Sequence, residues 1–233
     1  MWCKAIQNKG LQKGTGLGMA GQALYWSLSL ALLASAGGCR QLGYLLYLVV
    51  PGSQTKTVEA AFDGLAGKTV VVIVFTDQEV QYEYPMARWE LSSVIASELD
   101  KHVKGVKVVN PRRITRYQDE DIFWDTLSKK DLGRAFGADF VLYIAMLEFS
   151  TRELGSVNLY RGRITAECSV YDCSLPERQA RVWSDEQIRV VYPENVPTGQ
   201  LDRDDRKVRY QSQCLFADRL VKNFYKHKVP KYK

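Results

Sequence analysis

The chain of 233 residues is long enough for one large domain or two small ones. With 46% hydrophobic and 25% charged residues, it is not a disordered chain, a collagen, a coiled-coil rod or a polytopic membrane protein. Its net charge of +6 is unevenly placed. Residues 1–38 hold Lys4, Lys9 and Lys13 and no acid, and the remainder carries a mild +3, short of the dense basic face of a nucleic-acid binder.

Residues 1–18 are polar, basic and Gly-rich, and residues 23–36 form an uncharged apolar run followed by Gly37, Gly38 and Cys39. A basic start, an apolar stretch of this length and small residues at its end describe an export signal over 1–38. Its end has the form of a bacterial lipobox, which makes Cys39 the expected lipid-attachment residue after cleavage before it. Ala36 stands where Leu is usual, with Leu33 nearby, and Met19 is an alternative start that would discard all three lysines. The competing reading is an uncleaved signal anchor. Joining 23–38 to Leu42–Val50 reaches the roughly 20 residues of a spanning helix. It also places Arg40 near the bilayer centre, at a cost of at least roughly 2.5 kcal/mol. Either way the rest of the chain is exported, with its amino terminus cytoplasmic because the lysines precede the apolar run. Arg40, in place of the Asp that retains enteric lipoproteins at the inner membrane, favours the outer membrane. Residues 39–57 read as a juxtamembrane linker, in which Tyr44, Leu45, Leu46, Tyr47 and Leu48 suit either the membrane interface or packing on the domain.

The folded body is expected over 58–226. The β-branched run Thr69–Phe75 predicts a central strand covered on both faces, with Thr76-Asp-Gln-Glu as the loop at its end. Apolar residues at near-helical spacing predict a helix over Pro85–Val103, closed by Gly105. A short strand follows at Val106–Val109, then a polar loop or short helix over Arg112–Asp121. Lys129–Phe136 is the next helix, stopped by Gly137, and Phe140–Leu147 is a second buried strand. Tyr160–Tyr171 alternates, with Ile164, Ala166, Cys168 and Val170 on an apolar face and Arg161, Arg163, Thr165, Glu167 and Ser169 on a wet one. Ser174–Arg178 turns the chain into an antiparallel partner at Arg181–Val191. Val208–Phe224 closes the domain as a helix, and 227–233 is a basic tail. The order β-α-β-α-β-β-β-α predicts a single mixed-sheet α/β (α+β) domain.

Several of these segments resemble the periplasmic α/β domain shared by the TolB amino-terminal domain, the CsgG-like lipoproteins and the LpoB-like lipoproteins. The resemblance covers roughly 66–192. It runs from Lys68-Thr-Val-Val-Val-Ile-Val-Phe through the helix with Leu91, Ile95 and Leu99, and through Val106-Lys-Val-Val-Asn-Pro-Arg-Arg-Ile. The corner Asp131-Leu-Gly-Arg-Ala-Phe-Gly-Ala-Asp-Phe-Val-Leu142 is its most specific part. There Phe136 and Phe140 replace a Leu and a Tyr of the family pattern. The hairpin with Tyr160-Arg-Gly-Arg and Val182-Trp183 fits as well. The resemblance implies an envelope lipoprotein that works through protein–protein contacts in cell-wall, secretion or transport complexes, with no catalytic residues to carry over. The pore-forming segments of the CsgG group are not located in this sequence.

Other motifs read as structural. Gly16-Leu-Gly-Met-Ala-Gly21 matches a dinucleotide pattern but has no preceding strand, and Gly64-Leu-Ala-Gly-Lys-Thr69 enters a strand where a phosphate loop would leave one. His102, near the end of a helix, and His227, in the basic tail, read as surface or helix-capping residues and not as members of a catalytic triad. Cys168, Cys173 and Cys214 are compatible with one bridge, Cys173–Cys214 or Cys168–Cys173, or with buried free thiols. The runs Asp119-Glu120-Asp121 and Asp202, Asp204, Asp205 are interleaved with arginines and read as solvated ion pairs. No catalytic residue, metal site or cofactor is expected. The candidate partner contacts are Tyr160, Arg161, Arg163 and Tyr171, because Tyr and Arg anchor interfaces. The expected function is a lipid-anchored, periplasm-facing accessory of an envelope protein complex, with no nucleic acid as partner and an open oligomeric state. The alternatives are a signal-anchored protein, whose basic tail would meet anionic lipid or cell-wall polymer, and an envelope hydrolase using a carboxylate pair.

Overall fold

The computed structural model describes residues 55–201 and 204–230. The export signal, Cys39 and most of the expected linker lie outside the described residues. The central sheet has the order β3-β2-β4-β5-β6, and a separate two-stranded sheet pairs β1 (Thr55–Val58) with β7 (His227–Pro230). The first four residues of the expected basic tail are therefore strand.

Strand β2 (Thr69–Phe75) is central, with Val70 to Val74 all at 0–1% exposure. Its alternate residues serve two cores. Val70, Val72 and Val74 pack with Leu91, Ile95 and Leu99 of α2 (Ala87–His102) and with Phe216, Ala217 and Leu220 of α5 (Asp205–Val221). Val71 and Ile73 pack with Ile114 of α3 (Pro111–Glu120), Trp124 and Leu132 of α4 (Lys129–Ala135). Both neighbours of β2 are parallel to it: β3 (Lys107–Val108), and β4 (Phe140–Arg152) over Phe140–Ala145. The late strands β5 (Tyr160–Asp172) and β6 (Arg181–Tyr192) add on antiparallel, completing the mixed α/β sheet that the element order implies.

At three further places the structure departs from the sequence reading or decides between its alternatives. The segment after β2 is no plain loop. Asp77 accepts a hydrogen bond from the Val80 N–H at 2.8 Å and starts a short helix, α1 (Gln78–Glu83). Arg112–Asp121 is helical as α3, capped by Asn110 with Pro111 in its first turn. β4 runs to Arg152, five residues past its apolar stretch, because irregularities between Met146 and Glu148 and between Ser150 and Arg152 shift the alternation.

The corner between α4 and β4 shows why its residues are needed. Gly137 has φ +66°, a left-handed stop that glycine adopts without penalty. Asp139 ties three strands. Its carboxylate accepts from the Thr69 N–H at 2.8 Å, its N–H donates to the Thr69 carbonyl at 2.8 Å, and its carbonyl accepts from the Cys173 N–H at 2.9 Å. Gly133 faces the sheet so closely that an added Cβ would fall on Cys173 Sγ and lie 2.6 Å from Val141 Cγ2. Cys168, Cys173 and Cys214 are all free thiols, and burial pushes the Cys173 thiol up to about 11, helped by Asp172. We expect Gly133→Ala to destabilise the domain by about 1–3 kcal/mol through overpacking, read as a lower urea midpoint with an unchanged slope.

Candidate functional site

β4 and β5 outgrow β2. Beyond Ala145 they continue as a hairpin arm that pairs as far as Arg152 and Tyr160. α5 lies close over β5, since a Cβ on Gly162 would meet Ser212 Oγ, and this fixes the glycine between Arg161 and Arg163. Gln200 adds a third segment at the end of the arm: the Tyr160 N–H donates to its carbonyl and the Gln200 N–H donates back, both at 3.0 Å.

The arm ends in a polar clamp around Glu153. Arg163 Nη2 donates to Glu153 Oε1, and Arg163 Nη1 to the Arg152 carbonyl at 3.0 Å. Arg161 Nη1 donates to Glu153 Oε2 at 3.2 Å and to the Pro197 carbonyl at 2.6 Å. The Arg152 guanidinium lies over the Tyr160 ring, 5.5 Å from its centroid, and donates to the Val157 carbonyl at 2.6 Å. Burial alone would raise the Glu153 carboxyl. Hydrogen bonds from Arg161 and Arg163, the Arg163 charge and the Leu154 N–H outweigh it and hold the group below its ordinary value. Around this locked base three large apolar side chains are exposed: Leu154 at 79%, Val157 at 72% and Leu201 at 68%.

Three of the four expected contact residues thus come together at the end of the arm. Tyr160 and Arg161 are half-buried, and Arg163, at 6% exposure, acts as part of the clamp beneath the surface. Tyr171 is half-buried near the opposite end of β5, about 35 Å away along an extended strand, beside the α3–α4 core. The face of β5 expected to be wet is mostly covered. Arg163, Thr165 and Ser169 are buried, and Thr165 donates to Glu148 at 2.9 Å. Glu153, Leu154, Val157 and Leu201 escaped the sequence reading. The one local signal was a Leu and a Val inside the polar stretch Glu153–Asn158, where a tight turn has no use for them.

Of the two acidic runs, Asp119, Asp121, Asp204 and Asp205 are engaged, and Asp202 lies outside the described residues. Asp119 pairs with Arg88 at 2.5 Å, and Asp121 accepts from the Phe123 N–H and the Tyr117 hydroxyl. Asp204 caps α5, while Asp205 accepts from Thr151 and faces Arg209. His102 meets Glu98 at 3.2 Å and stacks on Tyr225. The Gly64–Thr69 segment is a turn into β2, with Leu65 buried and Gly67 at φ +70°. Among the described residues no three His, Cys, Asp or Glu side chains group as a metal site, and no helix is long and apolar enough to cross a membrane.

No protein-family model matches the chain, and no curated protein matches it. Solved structures similar to it include a PelC dodecamer from Paraburkholderia phytofirmans, at 15% identity and a TM-score of 0.42, covering 74% of this chain and 99% of that one. The lipoprotein GNA1162 from Neisseria meningitidis is similar at 14% identity and a TM-score of 0.41, with 65% and 97% covered. A minor lipoprotein from Acinetobacter baumannii is similar at 11% identity and a TM-score of 0.33, with 69% and 92% covered.

The depressed Glu153 carboxyl stabilises the fold above its ordinary value of 4.5, and that contribution is lost as pH falls through the lower folded-state value. We expect Glu153→Gln to remove about 1–3 kcal/mol at pH 7, and the difference from wild type to shrink on acidification below pH 4.5, measured by urea unfolding across pH.

Proposed function

We propose that this chain is a membrane-anchored lipoprotein of the bacterial cell envelope, lipidated at Cys39 and facing the periplasm. It acts by binding, as a non-catalytic accessory of an envelope protein complex. The observation that carries the binding reading is the end of the β4–β5 arm. An exposed apolar trio stands on a base ordered by the ion pairs of Glu153 with Arg161 and Arg163. A pre-ordered apolar patch with arginine and tyrosine at its edge loses little entropy on docking, which is what a protein interface uses. The lipobox supports the anchor, and the Arg40 position favours the outer membrane. Asp119, Asp204 and Asp205 of the two acidic runs are engaged in a cap and ion pairs, which favours binding over a hydrolase built on those runs.

Two measurements test this. Intact mass and fractionation should show a membrane-bound product beginning at a lipidated Cys39, a product lost in Cys39→Ser. A full-length membrane-bound product indifferent to the substitution would replace the lipoprotein with a signal anchor. A photo-crosslinking residue at Val157 should yield a discrete protein adduct in intact cells, while one at the exposed Glu186 on β6 should not. The absence of an adduct at Val157 would remove the arm as the docking surface.

A further inference from the structure

A cleft of about 570 Å³ opens at the carboxyl end of β2. The chain leaves β2 through α1 and α2 on one face of the sheet and leaves the adjacent β3 through α3 on the other. Divergence of this kind at the ends of adjacent parallel strands leaves a crevice, the place where open α/β sheets take their ligands. The volume falls in the range of small-molecule sites, about 300–1,000 Å³.

The lining combines an apolar wall with polar groups. Phe75 and Trp124 stand 6.1 Å apart at a tilt, and Ile122 adds to them. Gln118 and Gln81 are fixed by donating to the carbonyls of Val74 and Thr76, at 3.0 and 3.1 Å. Two buried atoms of lining side chains have no partner: Thr76 Oγ1, on a residue 2% exposed, and Arg88 Nε, on a residue 9% exposed. Leaving such an atom unpaired costs about 1–3 kcal/mol, a cost that a ligand acceptor reaching it after a small turn of the side chain would remove.

The unpartnered atoms and the charges define the ligand. Arg88 Nε–H can only donate and the Thr76 hydroxyl can donate, so the bound group presents acceptor oxygens. Asp77, Asp119 and Asp125 against Arg88 give the lining a formal charge of −2, with Lys129 beside Asp125 but outside the lining. A free phosphate or sulfate would be repelled. An acceptor that carries a cation a few bonds away would not be. We propose that this cleft binds a free α-amino acid, its carboxylate on Arg88 and Thr76 and its ammonium toward the aspartates. Because the lining stays negative, a basic side chain is preferred to a neutral one and an acidic one is disfavoured.

Calorimetry and thermal unfolding on the full chain test this, with L-lysine, L-alanine, L-glutamate, Nα-acetyl-L-lysine and L-lysinamide as probes. Lysine should bind most tightly and glutamate least, and both blocked derivatives should fail. Thr76→Val should weaken lysine binding about tenfold, the loss of one hydrogen bond to a charged group. It should leave the melting temperature of the free protein unchanged or higher, because the hydroxyl it removes is unpaired. Arg88→Lys should act in the same direction on binding. Silence toward every probe, as for a cleft that holds only water, would overturn the proposal. Blocked derivatives that bind as well as lysine, or a Thr76→Val affinity equal to wild type, would do so too. None of these outcomes bears on the lipid anchor or on the arm.

Discussion

The burial of β2 on both faces is the constraint from which the rest of the architecture follows. Val70 through Val74 are all but inaccessible, so every second residue demands cover on an opposite side of the sheet. One side is met by α2 and α5 and the other by α3 and α4, which requires crossovers and therefore parallel neighbours at β3 and β4. The crevice at the carboxyl end of β2 is the geometric residue of that solution, since the connections to the two layers part there.

β4 and β5 obey a second constraint. Each has 13 residues against 7 in β2, so their far halves form an arm without the central strand beside them. α5 covers part of it, and Tyr84, Thr151 and Asp205 join it to neighbouring elements through a hydrogen-bonded chain of 3.0 and 2.5 Å links. At the very end the clamp around Glu153 replaces an apolar core. An ion pair this buried adds little net stability over an apolar substitute, but breaking it strands a charge. It fixes the geometry of the end more than it strengthens it.

The sequence was most legible where burial is symmetrical or where backbone chemistry is forced. The run Thr69–Phe75 could only be a two-faced strand, and the corner from Leu132 to Asp139 carries residues whose small size, left-handed turn or carboxylate are each used. It was least legible where polar residues are buried by pairing. Arg163, Thr165 and Ser169 alternate like a wet face, yet their burial rests partly on partners such as Glu153 and Glu148, 10 and 17 residues away in the chain, which no local pattern displays. α1 was missed because only Val80 in it is buried, so no apolar periodicity announces it, and Asp77 is its main signal. His227–Pro230 was hidden as strand because its lysine reads as tail charge. Of the candidate site, Tyr160, Arg161 and Arg163 were singled out through residue type alone, whereas the exposed Leu154, Val157 and Leu201 gain meaning only once the arm brings them to one end.

α1 is the element that both candidate surfaces share. Because β4 runs parallel to β2 and continues past Ala145, the arm extends beyond the same end of the sheet on which the cleft opens. Gln78 and Gln81 give α1 one side on the cleft. Tyr84, directly after it, places its ring 4.8 Å from Phe149 and its hydroxyl 3.0 Å from Thr151 Oγ1, two residues before Glu153. A six-residue helix with a single buried side chain holds its position through its cap and these end contacts, because its own packing is too small to do so. Thr76 and Gln81 of the cleft and Tyr84 against the base of the arm therefore lie on one short stretch of chain. The backbone of α1 is what links the cleft contact of Gln81 to the arm contact of Tyr84.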